Sequence, residues 1–297
     1  MLRPEWLASA EAASAASTQR AVLDEISATP GFRNLMRPWV EAWRVQAGDN
    51  AMISRALRDL GHLLSGVWAL HLHATAGGFT LARLSALLAS SGVSSPGRAR
   101  SILALLLFSG YVRPSTDAAD RKRHLYVPTQ RMTEAFRERY SRDLRVLAPA
   151  HPAIRELAGK FHRPELFDAY MANYGEVVSL SFRRYSPGAV SLDVFSHRFS
   201  GMQVLAELLL AADPAGPFPS LEPQPVTVAG LAKACHISRV QVRRMLGAAE
   251  QMGLLEILPS GGARIMPLMI EHLDMFLAGS LLGAAYAAQA VTAAEAG

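Results

Sequence analysis

Four hydrogen-bonding side chains, Arg239, Gln241, Arg243 and Arg244, stand close together directly after Ser238. Their chemistry suits the edges of purine bases. A guanidinium donates two parallel hydrogen bonds to guanine O6 and N7, and a carboxamide matches adenine N6 and N7. A solvated arginine face on any surface helix has the same composition, so the surrounding pattern has to decide. Ser238 and Gln241 stand as cap and third helical residue, the spacing of a capping box. Val242, Leu246 and Ala249 recur at helical spacing and read as the buried side. The polar four are then left near the exposed N-terminal half, the part of a groove-bound helix that reaches base edges.

The run has a counterpart. Ser95 precedes Arg98, Arg100 and Ser101, with Ile102, Leu103 and Leu106 as the apolar stripe. Each serine stands fifteen residues before a glycine, Gly110 or Gly253, and the two serines are 143 residues apart. In that register Arg98 and Arg100 take the places of Gln241 and Arg243, Ser101 that of Arg244, and Gly97 that of Val240. An apolar strand follows each glycine, Tyr111-Val112 in one copy and Leu254-Leu255 in the other. The loop after the first strand carries Arg121, Lys122 and Arg123. A basic tip of this kind can lie along a phosphate backbone or enter a narrow minor groove. The second hairpin has a tight glycine turn and only Arg264, so a smaller contribution is expected from it.

The elements that must position these residues repeat in order: long helix, short helix, capped helix, hairpin, long helix. Residues 8–18, mostly Ala and Ser, read as a frayed helix or a disordered lead, and Pro30-Gly31 ends that segment. Phe32–Val45 reads as one amphipathic helix carrying Trp39 and Trp43. Long helices are predicted over Ser54–Ala74 and Ser196–Ala212, short ones over Leu81–Ala89 and Val228–Ala234. Thr80 and Thr227 cap the short pair. Pro96 suits the first helical position, where a missing N–H costs nothing. Leu84 to Ser95 is eleven residues and Leu231 to Ser238 seven, about one extra helical turn in the first copy. Closing helices are expected from Thr129 to Leu147 and from Leu268 to Ala290. Four regions follow: a helical segment over 1–53, a first unit over 54–148, a helical linker over 149–190 and a second unit over 191–297, with Pro187-Gly188 near the last boundary.

Ser95 through Thr129 resembles the MarR-type winged helix-turn-helix regulators of bacteria. The shared pieces are Ser95 as cap, Gly110-Tyr111-Val112, the wing Asp120-Arg121-Lys122-Arg123, and Val127-Pro128-Thr129. Ser238 through Leu246 with Gly253-Leu254-Leu255 is similar to the same helix and strand, with a shorter wing. The resemblance covers a little over half the chain. It implies a mainly α-helical fold with small β-hairpin wings, here as tandem winged helix-turn-helix modules joined by helices. It also implies a transcription regulator of double-stranded DNA. Members of that family pair through terminal helices; two modules in one chain point to an internal pseudo-dimer, or to a homodimer through those helices.

Composition limits the rivals. The chain has 297 residues, half of them apolar, and a net charge of +5. Ser94–Arg145 alone holds eleven Lys/Arg against five Asp/Glu, a local excess larger than that of the whole chain. A polyanionic partner is favoured. The lone Cys235 excludes an intrachain disulfide and fits a reducing cytoplasm, beside the nucleoid if DNA is the partner. It reads as a small core residue, with a redox-sensing thiol beside Lys233 and His236 as the alternative. The start at Met1-Leu2-Arg3-Pro4-Glu5 lacks a secretory pattern. Asp274 and Glu295 bracket twenty uncharged residues. These are rich in Ala and Gly, poor in hydrophobicity for a span, and read as a packed or dimerising helix in which Gly279 and Gly283 permit close approach. His71 and His73, two apart on a helix, make a poor metal pair, and no metal or cofactor is expected. Without a phosphate-binding glycine loop, nucleophile elbow or paired carboxylates, the chain reads as a non-enzyme. Trp39, Trp43, Phe161, Phe167, Tyr170 and Tyr174 read as core, or as the lining for a small-molecule effector. A replication initiator or a chromosome-organising scaffold is the alternative function.

Overall fold

The computed structural model describes residues 16–44, 59–90, 96–117, 124–184, 192–259 and 261–296. The protein is mainly helical with two small antiparallel hairpins. In chain order the elements are α1 (Ala16–Ser27), a 3-10 turn (Phe32–Leu35), α2 (Met36–Glu41), α3 (Leu60–Ala76), α4 (Leu81–Ser90), α5 (Pro96–Phe108), β1 (Val112–Pro114) and β2 (Tyr126–Pro128). Then come α6 (Gln130–Leu147), a 3-10 turn (Ala148–Ala150), α7 (Pro152–Lys160), α8 (Pro164–Arg184), α9 (Asp193–Ser196) and α10 (Gly201–Leu209). The chain closes with α11 (Val228–Ala234), α12 (Arg239–Gln251), β3 (Leu255–Ile257), β4 (Ala263–Ile265) and α13 (Pro267–Ala296).

Local chemistry explains where the repeated elements begin and end. Thr80 Oγ1 accepts from Arg83 N at 3.3 Å and Thr227 Oγ1 from Gly230 N at 3.0 Å, each satisfying an orphan amide at a helix start. Ser238 and Gln241 close both halves of the capping box: Ser238 Oγ accepts from Gln241 N, and Gln241 Oε1 accepts from Ser238 N, each at 3.2 Å. Gly110 and Gly253 end α5 and α12 with φ of 71° and 69°, a left-handed geometry that a side chain would strain.

The repeat is kept residue by residue. The buried positions of α12 are Val242, Met245, Leu246 and Ala249; those of α5 are Ala99, Ile102, Leu103 and Leu106, each 143 residues earlier. The same offset carries β1 onto β3. Tyr111 N donates to Leu106 O at 2.9 Å, as Leu254 N does to Ala249 O. After the hairpin turn the offset falls to 137, because the second turn is shorter, and β2 maps onto β4. Thr129 N then donates to Tyr111 O at 2.8 Å and Met266 N to Leu254 O at 3.0 Å. The short helices differ as expected: α4 has ten residues and α11 seven.

Other expectations need correction. Phe32–Val45 is not one helix. A 3-10 turn precedes α2, since Pro38 has no amide to donate and is tolerated only in the first turn of a new helix. Ser196–Ala212 is broken between α9 and α10, where Ser200 takes a left-handed φ of 57°. Gly201 there lies so close to the Phe195 carbonyl that a Cβ would collide with it. Of the Ala/Ser lead, the described residues 16–18 take the helical alternative as the start of α1, which further along buries Val22, Leu23 and Ile26. Thr129 precedes α6 without capping it; its hydroxyl donates to Gly110 O at 2.7 Å and ties the helix start to the end of α5. Pro187-Gly188 lies outside the described residues.

The middle helices do more than connect. α8 packs against both α3 and α13, and α7 against α6 and α13. Trp68 of α3 is fully buried and its Nε1 donates to Ser179 Oγ of α8 at 2.9 Å. α13 is long and apolar enough to cross a membrane, and 61% of its apolar window is buried in the protein. Gly283 sits beside Tyr174 and Val177 of α8, while among the described residues none would touch a Cβ at Gly279. The N-terminal segment also reaches the second half: Arg44 forms a two-pronged pair with Glu207 of α10, both contacts 2.7 Å.

Candidate nucleic-acid interface

On α12, Arg239, Gln241, Arg243 and Arg244 are all exposed. They flank the side opposite the buried stripe, and the helix packs through that stripe onto the core. Gln241 is partly occupied by the capping box, so its carboxamide nitrogen is the atom best placed to act outward. An open cleft of about 660 Å³ adjoins the start of α12, lined in part by Lys233, Ser238 and Arg239. Sequence spacing does not mark Lys233 for this interface, because it belongs to α11 and meets Arg239 only through the turn between the helices.

On α5 the counterparts diverge. Arg100 and Ser101 are exposed, and Ser101 Oγ donates back to Gly97 O at 3.3 Å. Arg98 turns toward the core instead: its Nη2 lies 2.8 Å from Asp59 Oδ2. Asp59, only 6% exposed, caps α3 by accepting from His62 N at 3.1 Å, and its Oδ2 also meets His62 Nδ1 at 2.8 Å. Arg98 thus ties the start of α5 to the start of α3. The second half of the α5 outer face is apolar, with Ala104, Leu105 and Phe108 exposed, the last 91%. Ser95 and the wing residues Arg121, Lys122 and Arg123 lie outside the described residues. Arg264 of the second hairpin faces Glu256 directly across the strands and pairs with it at 2.6 Å.

Burial alone would raise the Asp59 pKa, but the hydrogen bonds and charge of His62 and the nearby Arg98 guanidinium outweigh it and hold the carboxyl below its ordinary value. The sign of the pH dependence follows. A depressed carboxyl stabilises the fold above its unfolded pKa of about 3.9 and loses that contribution as pH falls through the lower folded value. Asp59→Asn keeps a capping oxygen but loses the charge. With Arg98 partly exposed, the variant is expected to be about 1–2 kcal/mol less stable at neutral pH. The gap to wild type should begin to narrow as pH falls below about 4 and go on narrowing through the lower folded value; denaturant midpoints at pH 7 and pH 3 measure it. A gap unchanged by acid would mean that the Asp59 charge contributes nothing.

The aromatic residues considered for an effector pocket pack on one another. Trp39 and Trp43 meet edge to face at 4.7 Å with Phe276 beside them, and Phe161 meets Tyr170 at 5.2 Å. Tyr170 and Tyr174 stack at 5.3 Å, and burial pushes the Tyr174 hydroxyl up to about 12. Cys235 is buried at the end of α11. Among the described residues no cluster of three metal-ligating side chains occurs. Comparison with models of known protein families, with curated proteins and with solved structures finds no match.

Proposed function

We propose that this protein is a sequence-specific, double-stranded DNA-binding transcription regulator, with two winged helix-turn-helix modules serving as an internal pseudo-dimer. The observation that carries the reading is α12. It is a serine-capped helix, buried on one side, with Arg239, Gln241, Arg243 and Arg244 exposed along its first two turns and an antiparallel hairpin directly after it. In the major groove Gln241, Arg243 and Arg244 face base edges. Lys233 and Arg239 at the adjoining cleft suit backbone phosphates, which set register without reading sequence. The residue-by-residue repeat supports a second module at α4–α5 and β1–β2. The two are unequal, since Arg98 is held by Asp59 and only Arg100 and Ser101 remain as polar outward groups on the first half of α5.

One observation favours a second reading. The exposed Leu105 and Phe108, with Ala104 beside them, suit a protein contact better than a groove, as in a winged-helix scaffold or replication initiator. Selection from random duplex DNA by the full chain separates the two. A regulator enriches an asymmetric site with half-sites about one helical turn apart, and its affinity falls steeply with salt. Binding that enriches no sequence would overturn the proposal in favour of the scaffold.

A further inference from the structure

We infer that Val240 reads the C5-methyl group of a thymine in the major groove, so that one half of the bound site requires a thymine beside the purines met by Arg243 and Arg244. The inference rests on the DNA-binding reading above.

At 3.6 residues per turn, Val240 lies directly opposite the stripe formed by Val242, Met245, Leu246 and Ala249. That ridge projects furthest from the domain, and a helix lying in a groove presents it to the groove floor. Val240 is 52% exposed there. Its side chain has two methyls and no polar atom, so it can make only an apolar contact. The major groove offers one apolar group on any base edge, the thymine methyl. Neighbours three and four residues along a helix stand about 5–6 Å apart. With base pairs about 3.4 Å apart along each strand, the thymine falls within one or two steps of the bases facing Arg243 and Arg244.

The fold does not call for a valine at this place. The buried stripe is complete without it, and a β-branched residue is a poorer helix former than Ala or Arg. Two turns further along the same ridge is Gly247, where an added Cβ would meet nothing within 4 Å among the described residues. Packing therefore does not require that glycine either, and glycine also weakens a helix interior. Both departures from helix preference fall on the outward ridge. A valine at the start and a bare backbone further on suit a helix that lies close to DNA.

A protein-docking role fits less well. Arg239, Gln241, Arg243 and Arg244 surround Val240 and are all exposed, so three like charges would have to be brought together into the centre of a protein interface, whereas phosphates and purine edges accept from them directly. The first module also provides an internal control. Gly97 stands 143 residues before Val240, with nothing within 4 Å of its position for a Cβ among the described residues. It has no methyl to offer, so only one half-site should carry the requirement.

The test uses the full chain and the duplex enriched by selection, with each thymine replaced singly by deoxyuridine. That exchange removes the methyl and keeps every hydrogen-bonding group. Binding is expected to weaken roughly four-fold at one thymine of one half-site, the effect of a single buried methyl. Val240→Gly, which copies Gly97 of the first module and leaves no methyl, is expected to bind the thymine and uracil duplexes alike at that position. If no single exchange weakens wild-type binding, or if Val240→Gly remains as sensitive as wild type, the inference is overturned while the regulator reading stands. If no duplex is enriched, that reading fails and the inference falls with it.

Discussion

Arg243→Ala is expected to weaken binding to the selected duplex by about 1–3 kcal/mol, roughly five- to 150-fold, while changing affinity for random duplex far less. The difference arises because a bidentate contact to a purine edge exists only on the matching sequence. A lost positive charge weakens phosphate attraction on every sequence to a similar extent. Arg243 is suited to the first role. It is exposed on the outer half of α12, and it makes no ion pair among the described residues. The helix beneath it is held by the capping box and the buried stripe, so the guanidinium is offered from a rigid base. Fluorescence anisotropy on the selected and a scrambled duplex, at one fixed salt concentration, reads both losses. Equal losses on the two would exclude base readout by this residue and leave it a phosphate contact.

Trp68→Ala is expected to destabilise the fold by about 3–5 kcal/mol, the usual range for emptying a buried aromatic site. Trp68 is fully buried on α3 and bonded through Nε1 to Ser179 of α8. Its loss opens the packing between those two helices. Trp68→Phe separates the two contributions. It keeps most of the apolar volume and loses the hydrogen bond, and Ser179 Oγ still donates to Gly175 O, so about 1 kcal/mol is expected. Denaturant melts of the two variants and wild type give the comparison. An alanine variant within about 1 kcal/mol of wild type would show that α3 and α8 do not share a cooperative core. The consequence reaches the interface, because α3 begins at Asp59, and Asp59 holds Arg98 at the start of α5.

Much of the fold is legible in the sequence because it follows from local chemistry. Threonine and serine caps, the terminal glycines and a four-position apolar stripe each act within one or two helical turns. The spacing of α5 and α12 therefore survives folding without change. Phe32–Val45 and Ser196–Ala212 mislead for the same reason: periodicity records which side of a segment is apolar but not where the backbone must break. The break before α10 is set by the closeness of Gly201 to the Phe195 carbonyl and by the left-handed Ser200.

The candidate site divides along the same line. Spacing places Arg100, Arg239, Arg243 and Arg244 on exposed helix faces, and the fold leaves them there. It does not place Arg98, whose direction depends on an aspartate 39 residues earlier in the chain, at the start of another helix. Nor does it mark Val240, which reads as one more apolar residue until the buried stripe shows it on the opposite side.

By itself the sequence determined the repeat, its register and the side of each capped helix that faces inward, because caps and helical periodicity are properties of neighbouring residues. The tertiary structure decided which arginine is held by the core and which faces solvent. It also packed α8 against both α3 and α13 and placed a valine on the outermost ridge of α12. Those outcomes depend on contacts between segments distant in the chain, and only the packed molecule brings such segments together.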